Sequence, residues 1–205
     1  MKQENDYIDT SIWYKNEITD PYQTIAEFFT AADLAYYRKT IKGALNAACS
    51  DKVWNKTSPG DLLWFFERLE SVINAAYLIN KEKKKSPLSI GKEDVFNPNL
   101  YCSWHADQAE WDFFPRSLSL KEYIDPYLAF KKFFNYLTLP EWKDELHDMM
   151  EFALGKTRFS EACVDFATLT IYFHLTKLVE AAHLIDVREI THIGGMIKNR
   201  LKKKN

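Results

Sequence analysis

Glycine and proline are scarce in this sequence, with 6 and 7 residues in a chain of 205. Folds built from many tight turns, such as sandwiches and barrels, need more of both. Cysteine is scarcer still: Cys49, Cys102 and Cys163 are far apart and odd in number. That is neither a disulfide framework nor a paired CxxC metal site. Neither sign of charge prevails, since 27 Lys+Arg stand against 29 Asp+Glu for a net charge of -2. Global charge therefore gives no reason to expect nucleic acid. No apolar run approaches the roughly 20 residues that cross a bilayer. The richest stretch, Leu62-Leu63-Trp64-Phe65-Phe66, is closed at once by Glu67 and Arg68. The opening residues, Met1 to Asp6, contain no apolar stretch of the secretory-signal kind. The expectation is a cytoplasmic protein with reduced thiols and no membrane partner.

Aromatic residues, by contrast, are abundant. With 14 Phe, 11 Tyr and 6 Trp in a composition that is 46% hydrophobic, the chain can build a core and is not intrinsically disordered. Many of these rings fall in a repeated phrase. Asp20-Pro21-Tyr22 followed by Phe28-Phe29 returns as Asp125-Pro126-Tyr127 followed by Phe133-Phe134, 105 residues later. Glu17 and Glu122 share that offset, and residues 17–48 match 122–153 at 8 of 32 positions. About two matches would arise from average composition alone. Further on, residues 63–80 match 169–186 at 6 of 18 positions, with an offset of 106. Two blocks in the same order predict an internal duplication.

Each copy reads as three helices. Asp20 and Asp125 are N-cap residues with proline at the first helical position, where the missing N–H costs nothing. Asp33 and Thr138 cap the second helices, and Leu139-Pro140 forces a break before the latter. Ser58-Pro59-Gly60-Asp61 opens the third helix of the first copy in the pattern of a capping box. An apolar stripe follows at Leu62, Phe66, Leu69, Ile73 and Ala76, in steps of three and four. The matching helix is expected to begin near Ser160 and carries Ile171, Leu175, Leu178, Ala182 and Ile185. The predicted fold is all-α, with two tandem three-helix units. The expected organisation is a first unit with its N-terminal arm over 1–80, an ordered aromatic connector over 81–121, a second unit over 122–187 and a basic tail over 188–205. The connector holds Tyr101, Cys102, Trp104, Trp111, Phe113 and Phe114, too many rings for a free linker.

The candidate chemistry is sparse. Asp144 with His147, and Glu180 with His183, place an acid and an imidazole at i, i+3 on two helices. Carboxylate-bridged di-metal bundles use such pairs, with single glutamates from two more helices. Glu27, Glu67 and Glu70 could supply those, but the helix order differs and one pair has Asp for Glu. The counterparts of these residues in the other copy are Asn74 and Tyr77, Lys39 and Lys42, so the fold itself asks for no ligands there. Surface polarity is the favoured reading, and neither metal nor cofactor is expected. His174, His183 and His192 are nine residues apart, two and a half helical turns, so His183 points away from the other two. Cys102 lies near His105, but catalytic pairs meet in space from distant positions. Arg188 and His192 are one residue too close for an Arg-x4-6-His pattern. No Walker A, GxSxG, GxGxxG, HExxH or EF-hand loop occurs.

The tail from Arg188 to Asn205 carries six basic residues against Glu189, a charge of +5 that leaves -7 for the rest. Lys198, Arg200 and Lys202 could contact phosphates, together with the Lys81–Lys85 cluster. A solvated helix end explains the same lysines without a partner. Adjacent phenylalanines cannot both face one helix's core, so one of each pair is expected to meet the other unit or the connector. An aromatic groove with Trp104, Trp111 and Phe113 would suit a protein or peptide partner. The leading expectation is therefore a non-catalytic interaction module. The alternatives are a nucleic-acid-associated protein and a metal-dependent helical enzyme.

Overall fold

The computed structural model describes residues 17–50, 52–82, 89–95, 97–102, 111–155, 167–193 and 196–197. Seven α-helices account for most of them: α1 (Pro21–Ala31), α2 (Leu34–Ala48), α3 (Pro59–Lys81), α4 (Leu120–Ile124), α5 (Tyr127–Tyr136), α6 (Leu139–Leu154) and α7 (Thr168–Arg188). The fold is all-α. Among the described residues there is one short strand pair, β1 (His192–Ile193) against β2 (Met196–Ile197), antiparallel with His192 opposite Ile197.

Local chemistry sets the helix starts. Asp20 Oδ1 accepts the N–H groups of Tyr22 and Gln23 at 2.9 and 3.3 Å, with Pro21 as the first helical residue. Asp33 Oδ1 accepts the Tyr36 N–H at 2.7 Å. Ser58 and Asp61 exchange reciprocal bonds at 3.1 and 3.0 Å, completing a capping box. The Thr138 N–H donates to Glu141 Oε2 at 2.7 Å, and α6 begins at Leu139 with Pro140 in its first turn. One expected cap differs. Asp125 closes the short helix α4, and Pro126, already helical at φ -63 and ψ -22, precedes α5. The cause lies upstream, where Ser119 and Glu122 form a further capping box that starts a helical turn before Asp125 is reached. α7 starts at Thr168, and the expected start at Ser160 lies outside the described residues.

Both predicted stripes are buried: Leu62, Phe66, Leu69, Ile73 and Ala76 on α3, and Ile171, Leu175, Leu178, Ala182 and Ile185 on α7. These two long helices run through one apolar cluster that draws on α1, α2, α3, α5, α6 and α7. α1 packs on α3 and α7, while α5 packs on α7 and α3. α2 lies chiefly against α6 and α7, and α6 against α2 and α3.

The ring contacts agree pair by pair. Phe28 stacks on Tyr37 at 3.7 Å, and Phe133 stacks on Trp142 at 3.9 Å. The Tyr37 hydroxyl donates to the Phe28 carbonyl at 2.6 Å, and Trp142 Nε1 donates to the Phe133 carbonyl at 3.1 Å. Phe29 meets His183 edge-on at 5.2 Å, and Phe134 meets Tyr77 edge-on at 5.4 Å. The second ring of each Phe pair thus reaches the long helix of the other half of the chain.

Candidate functional site

The connector residues from 89 to 121 that are described contain three single 3-10 turns, Lys92–Asp94, Pro98–Leu100 and Trp111–Phe113. A row of buried polar side chains on α7 holds them down. Glu180 is fully buried and accepts the backbone N–H groups of Arg116 and Ser117 at 2.9 and 2.7 Å. It also pairs with Arg38 Nη1 of α2 at 3.0 Å. Arg38 in turn donates to the carbonyls of Phe114 and Asp112. One helical turn on, His183 Nε2 lies 2.6 Å from the Tyr101 carbonyl, so that nitrogen carries the proton. At the end of α7, Arg188 donates to the carbonyls of Leu100 and Tyr123, and its guanidinium lies over the Tyr123 ring at 4.4 Å. Rings complete the attachment. Tyr101, Cys102, Phe113, Tyr123 and Leu184 form a second, smaller apolar cluster.

This arrangement answers several sequence expectations. Glu180 and His183 are engaged in fixing the connector, and Arg188, counted above with the basic tail, is buried and structural. Asp144 and His147 lie on α6, where His147 Nε2 is 3.7 Å from Glu151. Among the described residues, no three His, Cys, Asp or Glu side chains converge as a metal site requires. Phe113 is buried in the small cluster, where its ring anchors the connector. Trp111 lies in the third 3-10 turn. Trp104, Lys198, Arg200 and Lys202 lie outside the described residues, as does His105. Cys102 is buried, which pushes its thiol up and away from the reactive thiolate. His174 stacks on Tyr136 at 4.4 Å, and burial, helped by Lys177 and opposed by Glu122, lowers it. His192 is exposed in β1. The three spaced histidines share no site.

Three further ion pairs, made by two buried acids, brace the helices. Lys143 of α6 is 3.5 Å from buried Glu70 of α3. Lys143 stands 105 residues after Arg38, so α2 and α6 each send a cation from the same position into a buried acid. Burial lowers Lys143, with Glu70 opposing. Glu122, fully buried at its side chain, takes Lys132 at 2.8 Å and Lys177 at 3.2 Å besides the Ser119 N–H and hydroxyl. Burial alone would raise its carboxyl, but Lys132, Ser119 and Lys177 outweigh that and hold it at about 2.

A groove lies elsewhere among the described residues. Of about 280 Å³, it separates the C-terminal end of α3 from the first turns of α5. Ile79, Leu128, Phe130 and Tyr127 give it an apolar floor, and Asn80, Glu82 and Lys131 form its rim. The Tyr127 hydroxyl donates to Glu189 beyond the end of α7. Burial, followed by Glu189, raises this phenol strongly. Tyr22, 105 residues before Tyr127, hydrogen-bonds the same side chain. No family model matches this chain. Neither a curated protein nor a solved structure matches it either. No helix among the described residues is long and apolar enough to cross a membrane.

Proposed function

We propose that the protein is a non-catalytic interaction module, built of two duplicated three-helix units, that binds a protein or peptide partner. The observation carrying this reading is the apolar groove between α3 and α5 among the described residues, in a molecule whose buried polar side chains at α7 and α4 serve to hold the fold and its connector.

The duplication is supported by packing as well as by spelling. Phe28, Phe29 and Tyr37 recur as Phe133, Phe134 and Trp142 at the offset of 105 with like ring geometry. His183 and Tyr77, 106 apart, receive the second ring of each pair. The division into 1–80, 81–121, 122–187 and 188–205 follows from those matched blocks. α2 and α6 each pack against the long helix of the other unit, which favours two units interlocked through one core. Free thiols at Cys49 and Cys102 suit a reducing, intracellular setting.

The test is affinity capture from source lysate with wild-type protein and with Leu128→Glu, each with and without nuclease. The reading expects at least one protein that survives nuclease and is lost with Leu128→Glu, while circular dichroism stays unchanged. Captures identical for both proteins contradict it. Partners lost only on nuclease treatment transfer the function to the basic tail.

A further inference from the structure

The groove has a counterpart within the same molecule, and that counterpart is filled. Subtracting the repeat offsets takes the floor residues Tyr127, Leu128 and Phe130 to Tyr22, Gln23 and Ile25 of α1. Adding them takes Ile79, Asn80 and Glu82 to Ile185, Asp186 and Arg188 of α7. Against α1 at that place lies the chain that leaves α7. Ile190 is buried in the main core, Ile193 packs on its edge, and β1 touches α1. The backbone between them is fixed by a hydrogen bond from Gln23 Nε2 to the His192 carbonyl at 2.9 Å. The occupant is thus an extended segment that lays down aliphatic side chains at i and i+3.

The chain that leaves α3 is not equipped to do the same. Where the α7 exit carries Ile190 and Ile193, the α3 exit carries Lys84 and Pro87. The floor on α5 is apolar, with Leu128 in the place of Gln23, while the positions that match Ile190 and Ile193 hold Lys84 and Pro87. On this basis, and resting on the interaction-module reading above, we infer that the α3–α5 groove receives an extended segment of another protein carrying aliphatic side chains at i and i+3, in the manner of Ile190–Ile193. The rim carries one charge of each sign, Glu82 and Lys131, so recognition falls on the aliphatic side chains rather than on net charge. Leu128 stands where Gln23 donates to the inbuilt segment, so the partner's backbone is held by burial of its side chains and not by that hydrogen bond.

The probe is a fluorescein-labelled peptide of sequence EITHIGGMI, residues 189–197, titrated into the full-length protein and read by anisotropy. Saturable binding is expected, weakened at least tenfold when both positions equivalent to Ile190 and Ile193 are serine. Leu128→Glu, which charges the floor, should weaken it at least tenfold. Asn80→Trp, an exposed rim position that a large ring would obstruct, should do the same without touching the core. Binding that is indifferent to both variants would mean that the peptide exchanges with its own copy on α1, and would overturn the inference. An apolar dye titrated in parallel separates the two levels of the account. Dye binding that Leu128→Glu abolishes, with no peptide binding, leaves the groove functional and overturns the extended-segment occupant. Absence of both overturns the inference and the groove reading together.

Discussion

Glu180 shows how much one buried side chain can organise. Its two oxygens satisfy two backbone N–H groups of the connector and one guanidinium, and none of its partners is near it in sequence. Glu180→Gln removes the charge that Arg38 compensates and replaces one acceptor oxygen with a donor. Breaking a buried pair from one side costs about 3–5 kcal/mol, so the unfolding free energy should fall by that amount, the urea midpoint should drop with it, and proteolysis should become fast near residues 111–119. An unchanged midpoint would show that Arg38 and Glu180 do not carry the connector. Glu122 makes a different prediction, because its carboxyl is held at about 2, below its ordinary 4.5. A lowered folded value means that the stabilisation is complete above 4.5 and fades as pH falls toward 2. The gap in stability between wild type and Glu122→Gln should therefore be widest near neutral pH and close as the acid is protonated. A gap that is constant from pH 7 to pH 2.5 would contradict the assignment. Neither clamp was legible in the sequence. Arg38 and Glu180 are 142 residues apart, and nothing local marks them as partners. Arg188 is unmarked for a related reason: its charge resembles that of the lysines that follow it, and only its position at the end of α7 turns it inward.

At the scale of the element, the sequence is far more explicit. Caps are decided by residues within one turn, so Asp20, Asp33, Ser58 and Thr138 announce their helices directly. The stripes on α3 and α7 needed only the helical period. Replacing Ser58 by Ala removes the acceptor for the Asp61 N–H and should cost about 1 kcal/mol, as N-cap removals do. Equilibrium unfolding checks it, and a loss near zero would mean that Pro59 and the tertiary contacts of α3 suffice. Asp125 departs from the pattern because a competing signal, Ser119 with Glu122, acts from six residues earlier. Local rules still governed the outcome, but the earlier box took precedence. The groove was invisible at this scale, since it exists only where the end of α3 meets the start of α5.

For the whole molecule, the apolar cluster crosses from the first half of the chain to the second at α2 with α6 and at α3 with α7. Such a core should unfold as one cooperative unit. Phe28→Ala and Phe133→Ala each remove a stacked, buried ring and should each cost about 3–5 kcal/mol. Both should lower the same single transition. A variant that splits the curve into two steps would show that the halves are independent. The phrase that recurs at an offset of 105 points to Phe28 and Phe133 as matching positions but not to the helix packing, because identity at an offset carries no information about which helix packs on which.

The most direct test of the functional account is amide hydrogen exchange on the full-length protein, with and without its captured partner. Protection concentrated at residues 79–82 and 127–131 is the predicted result. Protection confined to the exposed N-terminal turns of α3 and α7, around Leu63 and Leu169, with none at the groove, would contradict it.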